Sequence, residues 1–154
     1  MNDDAHWNAH WNAHLRGILA EFGCQTGTLH RTAPDTCSLV LVCQIGVPDT
    51  LLEKISAIPF GKGIAGAAAE RREPVRLCNL QQDLGGVARP DARQTGVSGS
   101  LAVPIFATES AQVIGTLGIG MTRPHDFTPE QEQRLEQHAR VIAQFFEDKA
   151  ARGD

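Results

Sequence analysis

The stretch Ile58-Pro59-Phe60-Gly61-Lys62-Gly63-Ile64-Ala65-Gly66-Ala67-Ala68-Ala69 reads as a short strand, a glycine-hinged turn and the abrupt start of an alanine-rich helix. Such a turn directs several backbone N–H groups at one point, an arrangement suited to a small ligand or an anion. It is not a phosphate-binding P-loop, because the Gly61-Lys62 pair is followed by Gly63 and not by the Ser or Thr that would hold magnesium. Gly61-x-Gly63-x-x-Gly66 has the spacing of a dinucleotide fingerprint, but no alternation of strands and helices surrounds it. A plain strand-to-helix turn accounts for Gly61 and Gly63 with or without a ligand.

Outward from this corner, the chain begins and ends in amphipathic helices. Trp7, Trp11, Leu15, Ile18 and Phe22 fall on one helical stripe that Gly23 terminates, giving an N-terminal helix within residues 1–23. Thr128-Pro129-Glu130-Gln131 is a capping box with proline at the first helical position, and it opens a C-terminal helix over 128–150 with Leu135, Ala139, Ile142, Phe145 and Phe146 on its apolar side. Between them lie strand-like runs: Cys37 to Ile45, closed by a turn at Gly46-Val47-Pro48-Asp49, and a hairpin of Ser100 to Phe106 with Gln112 to Gly120. Shorter candidates are Thr26 to Arg31, Ala57 to Phe60 and Pro74 to Leu77. Pro104 belongs at an edge or a bulge, since it has no N–H to donate to a ladder.

Leu101, Val103 and Ile105 share one face of the hairpin with Val113, Leu117 and Ile119, while Ser100, Ala102, Pro104, Thr116, Gly118 and Gly120 share the other. One sheet face is therefore bulky and the other small, open either to close helix packing or to a ligand cavity. Residues 79–99 carry punctuation without periodicity (Gly85-Gly86, Pro90-Asp91, Gly96 and Gly99), with a short helix expected from Pro90 to Thr95. Long irregular connections inside compact domains are commonly binding loops.

The 154 residues match one domain. No stretch approaches the ~20 apolar residues that span a membrane, and the acidic Met1-Asn2-Asp3-Asp4 start is unlike a secretory signal, so a soluble cytoplasmic protein is expected. A net charge of -4, from 14 basic and 18 acidic residues spread along the chain, argues against nucleic-acid binding. Cys24, Cys37, Cys43 and Cys78 form no zinc-finger spacing, and free thiols are expected. His6, His10 and His14 recur every fourth residue at the margin of the tryptophan stripe, which reads as a half-exposed flank sensitive to mild acid; no metal site is assigned there.

Taken together, Ile58 to Gly66, Glu73-Pro74-Val75-Arg76 with Asn79 and Asp83, Ser100 to Ile105, Val113 to Ile119 and Phe127-Thr128-Pro129-Glu130 resemble a GAF domain. The resemblance covers nearly the whole chain, 1–154, as a single domain. It implies an α+β fold of GAF/PAS-like type: a central antiparallel sheet of about six strands, the terminal helices on one face, and short helices and loops enclosing a small-molecule pocket on the other. GAF domains are mostly sensory or regulatory modules, and no output domain is expected within these 154 residues.

By the same resemblance, the expected function is a small-molecule or anion sensor, comparable to stand-alone nitrate receptors, that signals to a separate partner such as a kinase or transcriptional regulator. The backbone N–H groups of Ile64, Ala65 and Gly66 would meet the ligand, Arg89 or Arg93 would close over it near Asp83, and Leu41, Cys43 and Val97 would form apolar walls. For the arginines a solvated loop charge is the plainer reading. A homodimer through the first and last helices is expected; the ligand and any cofactor stay unidentified. Free methionine-R-sulfoxide reductases resemble the same scaffold, but the reactive cysteine of their glycine turn is Ala65 here, and the loop from Asp83 to Gly99 holds no cysteine, so no enzymatic activity is expected. A scaffold with a filled core is the remaining alternative.

Overall fold

The computed structural model describes residues 3–35, 37–77 and 98–151, with side chains from Ala9 to Asp148 within them. The elements run α1 (Asp3–Phe22), β1 (Thr26–Thr32), β2 (Ser38–Ile45), α2 (Asp49–Ile55), β3 (Ala57–Pro59), α3 (Gly63–Arg71), β4 (Val75–Leu77), β5 (Gly99–Phe106), β6 (Val113–Met121) and α4 (Pro129–Ala151). The strands form one antiparallel sheet in the order β3-β2-β1-β6-β5-β4. The expected six-stranded α+β architecture is present. The helix expected from Pro90 to Thr95 falls outside the described residues.

Both terminal helices stop and start where their sequence signals stand. Gly23 takes a left-handed φ of 69°, and the Cys24 N–H reaches back to the Leu19 carbonyl at 3.0 Å, closing α1 with a Schellman bond. At α4 the capping box is reciprocal: Gln131 N donates to Thr128 Oγ1 at 3.1 Å, and Thr128 N donates to Gln131 Oε1 at 2.9 Å. The helix α2 exceeds the turn expected at 46–49. Gly46 turns the chain at φ 80°, the Gln44 side chain accepts from Val47 N at 3.0 Å, and buried Leu51 anchors the helix.

α1 and α4 lie on the same face of the sheet. There Trp11, Leu15, Leu135 and Phe146 meet Leu29, Leu101, Val103, Ile105, Leu117 and Ile119 in the largest buried cluster. From Trp11 to Phe22 and from Leu135 to Phe146 the apolar stripes of the two helices are thus buried inside one chain. Ion pairs knit the rim, with Arg134 donating to Glu21 at 2.6 and 3.1 Å. Arg76 of β4 donates to the Phe127 carbonyl and pairs with Glu132 at 3.2 Å, tying the outer strand to the start of α4.

Two register shifts decide what the opposite face receives. Between β1 and β2, Leu29 faces Cys43 but His30 faces Leu41, so the strand skips one residue. Between β5 and β6, Ile105 faces Gly115 but Phe106 faces Val113. Val113 was expected beside Leu117 and Ile119; the bulge turns it over, and it packs with Leu39, Ile58 and Ala69 instead. Pro104 lies two residues past Ala102, the last β5 residue that β4 pairs, so it occupies the expected edge position.

Candidate functional site

The glycine corner is a tightly bonded turn. Gly61 and Gly63 have φ of 88° and 68°, Lys62 N donates to Pro59 O at 3.1 Å, and Gly61 N donates to Gly66 O at 2.8 Å. Lys62 caps α3 with no side-chain hydrogen bond, and the first helical bond runs from Gly66 N to Lys62 O at 3.1 Å. The N–H of Gly66 is therefore committed, whereas those of Gly63, Ile64 and Ala65 precede the first helical bond. Gly66 is needed for packing: a Cβ there would stand 2.5 Å from the Pro59 carbonyl oxygen. The side chains of Ile64 and Ala65 pack in two separate clusters, Ile64 with Ala67, Ala68, Val75 and Ala102, and Ala65 with Leu39, Ile58, Ala69 and Val113. Small residues thus serve close helix packing over β4 and β5.

Over the two central strands the same face is built differently. Thr28 and His30 of β1 stand opposite Gly118 and Thr116 of β6, and Ala102 of β5 stands next to Gly118. A Cβ on Gly118 would meet only Thr28 Oγ1 at 3.0 Å, the Leu101 carbonyl oxygen at 3.9 Å and Ala102 Cβ at 4.0 Å, all atoms of the sheet itself. Among the described residues no covering element comes within 4 Å of that position, and Thr28 and Gly118 are half-buried in the middle of the sheet. One step further along the strands the face closes. His30 and Thr116 are each 1% exposed, yet His30 Nδ1 and Thr116 Oγ1 have no hydrogen-bond partner. An orphaned buried polar atom costs on the order of 1–3 kcal/mol, so two on facing strands leave an unmet hydrogen-bonding demand on this face.

The other ring nitrogen of His30 is held. Nε2 lies 2.8 Å from the carbonyl oxygen of Ile55, at the end of α2. Burial pushes the pKa of His30 below the usual imidazole value, and the Ile55 bond offsets only part of this. Leu41 is paired with His30 and half-buried, so it borders this face.

Cys43 does not join Leu41. The bulge carries it to the other face, into the cluster with Trp11 and Leu15, where burial pushes its thiol up to about 12. Cys24 is likewise pushed up to about 11, chiefly by burial. Asp83, Arg89, Arg93 and Val97, together with Cys78, lie outside the described residues. His30 and Thr116 were missed in the sequence because an alternating polar position in Thr26-Gly27-Thr28-Leu29-His30-Arg31-Thr32 reads as solvent-facing. The pairing that joins them is between strands distant in sequence.

The histidine flank is a separate feature. His10 and His14 are half-buried, and the His14 ring lies 6.4 Å from those of both His10 and His138. Burial lowers the His14 pKa, and the charges of His138 and His10 lower it further. Among the described residues no group of three or more His, Cys, Asp or Glu side chains is placed to hold a metal ion. The side chain of His6 is outside the described set.

Over residues 13–147 the sequence matches the family profile described as GAF domain, and the chain belongs to the GAF domain family. Its fold is shared by the GAF domain of a Coxiella burnetii phosphoenolpyruvate-protein phosphotransferase, 22% identical over 95% of this chain and 98% of that one, with a TM-score of 0.72. The GAF domain of the Acinetobacter phosphoenolpyruvate-protein phosphotransferase superposes with a TM-score of 0.73 at 16% identity, over 90% of this chain and 80% of that one. The free methionine-R-sulfoxide reductase of Neisseria meningitidis, solved with its substrate, reaches 0.72 at 20% identity, over 92% and 78%. The chain matches no curated protein sequence. No helix among the described residues is long and apolar enough to cross a membrane.

Proposed function

We propose that this GAF domain is a cytoplasmic sensory or regulatory module that holds a small molecule on the α3-facing side of its sheet and signals to a separate protein, such as a kinase or a transcriptional regulator. The observation that carries the reading is the pair of buried, unpartnered polar atoms of His30 and Thr116, beside Thr28 and Gly118, which no other described element covers within 4 Å. The unbonded N–H groups of Gly63, Ile64 and Ala65 supply the positive end of a helix dipole, a second element that suits an anionic group of a ligand.

The state of two of the four thiols, Cys24 and Cys43, supports a binding role over catalysis. With Cys24 at about 11 and Cys43 at about 12, neither supplies a thiolate near neutral pH, and Ala65 occupies the glycine turn. The expected outcome of an assay with free methionine-R-sulfoxide is no thiol-dependent turnover; turnover that disappears on Cys78→Ser would replace this reading with a reductase. A homodimer through α1 and α4 would use their outer sides, where Val141 is 44% exposed; light scattering at micromolar concentration reads that state.

The deciding experiment is a thermal-shift series with nitrate, other oxyanions, amino acids, nucleotides and metal ions. A native-state ligand raises the unfolding midpoint by mass action. A saturable rise with one class is the expected result. No rise with any class leaves an interaction scaffold as the better description.

A further inference from the structure

We infer that His30 and Thr116 form a recognition pair for an uncharged group that carries a hydrogen-bond donor beside an acceptor, such as a primary amide or the edge of a cyclic lactam. The inference rests on the reading that this face of the sheet binds a small molecule, and it specifies what that molecule must present.

The geometry at His30 fixes which way the site is polarised. The partner of Nε2 is the Ile55 carbonyl oxygen, at 2.8 Å, and a carbonyl only accepts, so Nε2 carries the hydrogen. In the neutral ring Nδ1 is then a bare lone pair, and it is this nitrogen that faces no protein donor. The surroundings keep the ring neutral. It is 1% exposed, and among the described residues no charged side chain contributes to its titration; burial and the Ile55 bond are the acting causes. The neighbouring cation, Arg31, is turned to the α4 side, with its guanidinium carbon 5.1 Å from the centre of the Phe146 ring.

Thr116 is the directly paired residue on the adjacent strand, so its side chain emerges from the same face beside that of His30. Its hydroxyl rotates freely between donating and accepting, and it is not bonded to His30. Side by side the two offer one obligate acceptor and one adaptable hydroxyl. The complementary ligand edge is an N–H that donates to Nδ1 next to a carbonyl that accepts from Oγ1. A carboxylate or nitrate oxygen at Nδ1 would set lone pair against lone pair, so an anion is rejected at this position even where the α3 start attracts one. The half-buried Thr28 and Gly118 are the less covered neighbours of the pair among the described residues and are the side from which a ligand would approach.

The test uses the intact chain and matched probes: benzamide against benzoate, and 2-pyridone against nitrate. Nitrogen-detected NMR of the histidine rings at neutral pH is expected to show His30 protonated at Nε2 and bare at Nδ1. Benzamide and 2-pyridone are expected to move the Nδ1 resonance saturably and to raise the unfolding midpoint, while benzoate and nitrate leave Nδ1 unmoved. Thr116→Val, which removes a hydroxyl with no partner in the free protein, should keep the fold and weaken the amide probes roughly fivefold, the worth of one hydrogen bond. A proton on Nδ1, or benzoate or nitrate displacing the amides there, overturns the inference while leaving a small-molecule sensor intact. Amide binding indifferent to Thr116→Val also overturns it. Failure of every probe in both this series and the wider thermal-shift series removes the sensor reading as well.

Discussion

On the α1/α4 side of the sheet, Leu101, Val103, Ile105, Leu117 and Ile119 are buried under two long helices, whereas on the α3 side the same strands present Ala102, Thr116 and Gly118. The first side is filled with large apolar groups that touch many neighbours, and it holds the domain together. The second has one closely packed part, beneath the alanines of α3, and one part, at Thr28 and Gly118, that no other described element covers within 4 Å. Stability and the proposed recognition thus fall on opposite sides of a single ladder. A residue can be shifted from one task to the other by a bulge alone, as Cys43 and Val113 show.

The largest blow to this division should fall on the helix side. Phe146→Ala removes a side chain that is 3% exposed and packed on Trp11, and should cost about 3–5 kcal/mol in urea unfolding. A loss below about 1 kcal/mol would mean that this face does not dominate the fold. Two glycines of one strand offer a sharper comparison. A Cβ at Gly115 runs into the His30 carbonyl oxygen and lies 3.1 Å from the Phe146 ring, so Gly115→Ala should cost roughly 1–3 kcal/mol. Gly118→Ala, which meets only sheet atoms at 3.0 Å or more, should stay within about 0.5 kcal/mol while blocking entry to the His30 pair. Equal costs for the two alanines would erase the distinction between the faces.

The gentlest probe is pH, because each side of the sheet holds a histidine whose pKa is depressed. His14 is lowered first by burial and then by the charges of His138 and His10; its surroundings also include Glu21, which accepts from His138 at 3.1 Å and from Arg134. His30 is lowered by burial, against the Ile55 bond. In both cases the unfolded chain, with its ordinary value of 6.5, takes up protons before the folded one does. Stability is therefore whole above that value, declines as the pH falls through it, and levels off only below the folded pKa. The slope is at most about 1.4 kcal/mol per pH unit for each proton taken up. Urea midpoints between about pH 7.5 and pH 5 should fall, and His14→Gln should flatten the decline. A flat profile in the parent chain would show that neither ring is held neutral by its burial.

Much of the architecture can be read from local signals. The capping box at Thr128 to Gln131, the stop at Gly23 and the strand-to-helix corner at Gly61 to Gly66 each state their geometry within a few residues, and the structure follows them. α2 was hidden because Pro48-Asp49 serves equally as the end of a turn and the start of a helix. The faces of Val113 and Cys43 depended on bulges, which change parity without any marked residue at the spot. Of the expected site residues, Leu41 borders the face with His30, Ile64 and Ala65 lie at its α3 side, and Gly66 keeps its N–H for the helix. The His30 and Thr116 pair depends on strand register, a nonlocal property that side-chain periodicity does not carry.

The sheet ends on both sides in strands of three residues, β3 and β4, and proline stands at both margins, Pro59 in β3 and Pro104 in the part of β5 that β4 does not reach. Proline withholds the donor that an added strand would need, and three residues give little ladder to extend. Neither margin invites a visiting peptide to align along it. In the proposed sensor, communication with another protein would leave through the helical surfaces and turns, as a displacement of helices and not as a lengthening of the sheet.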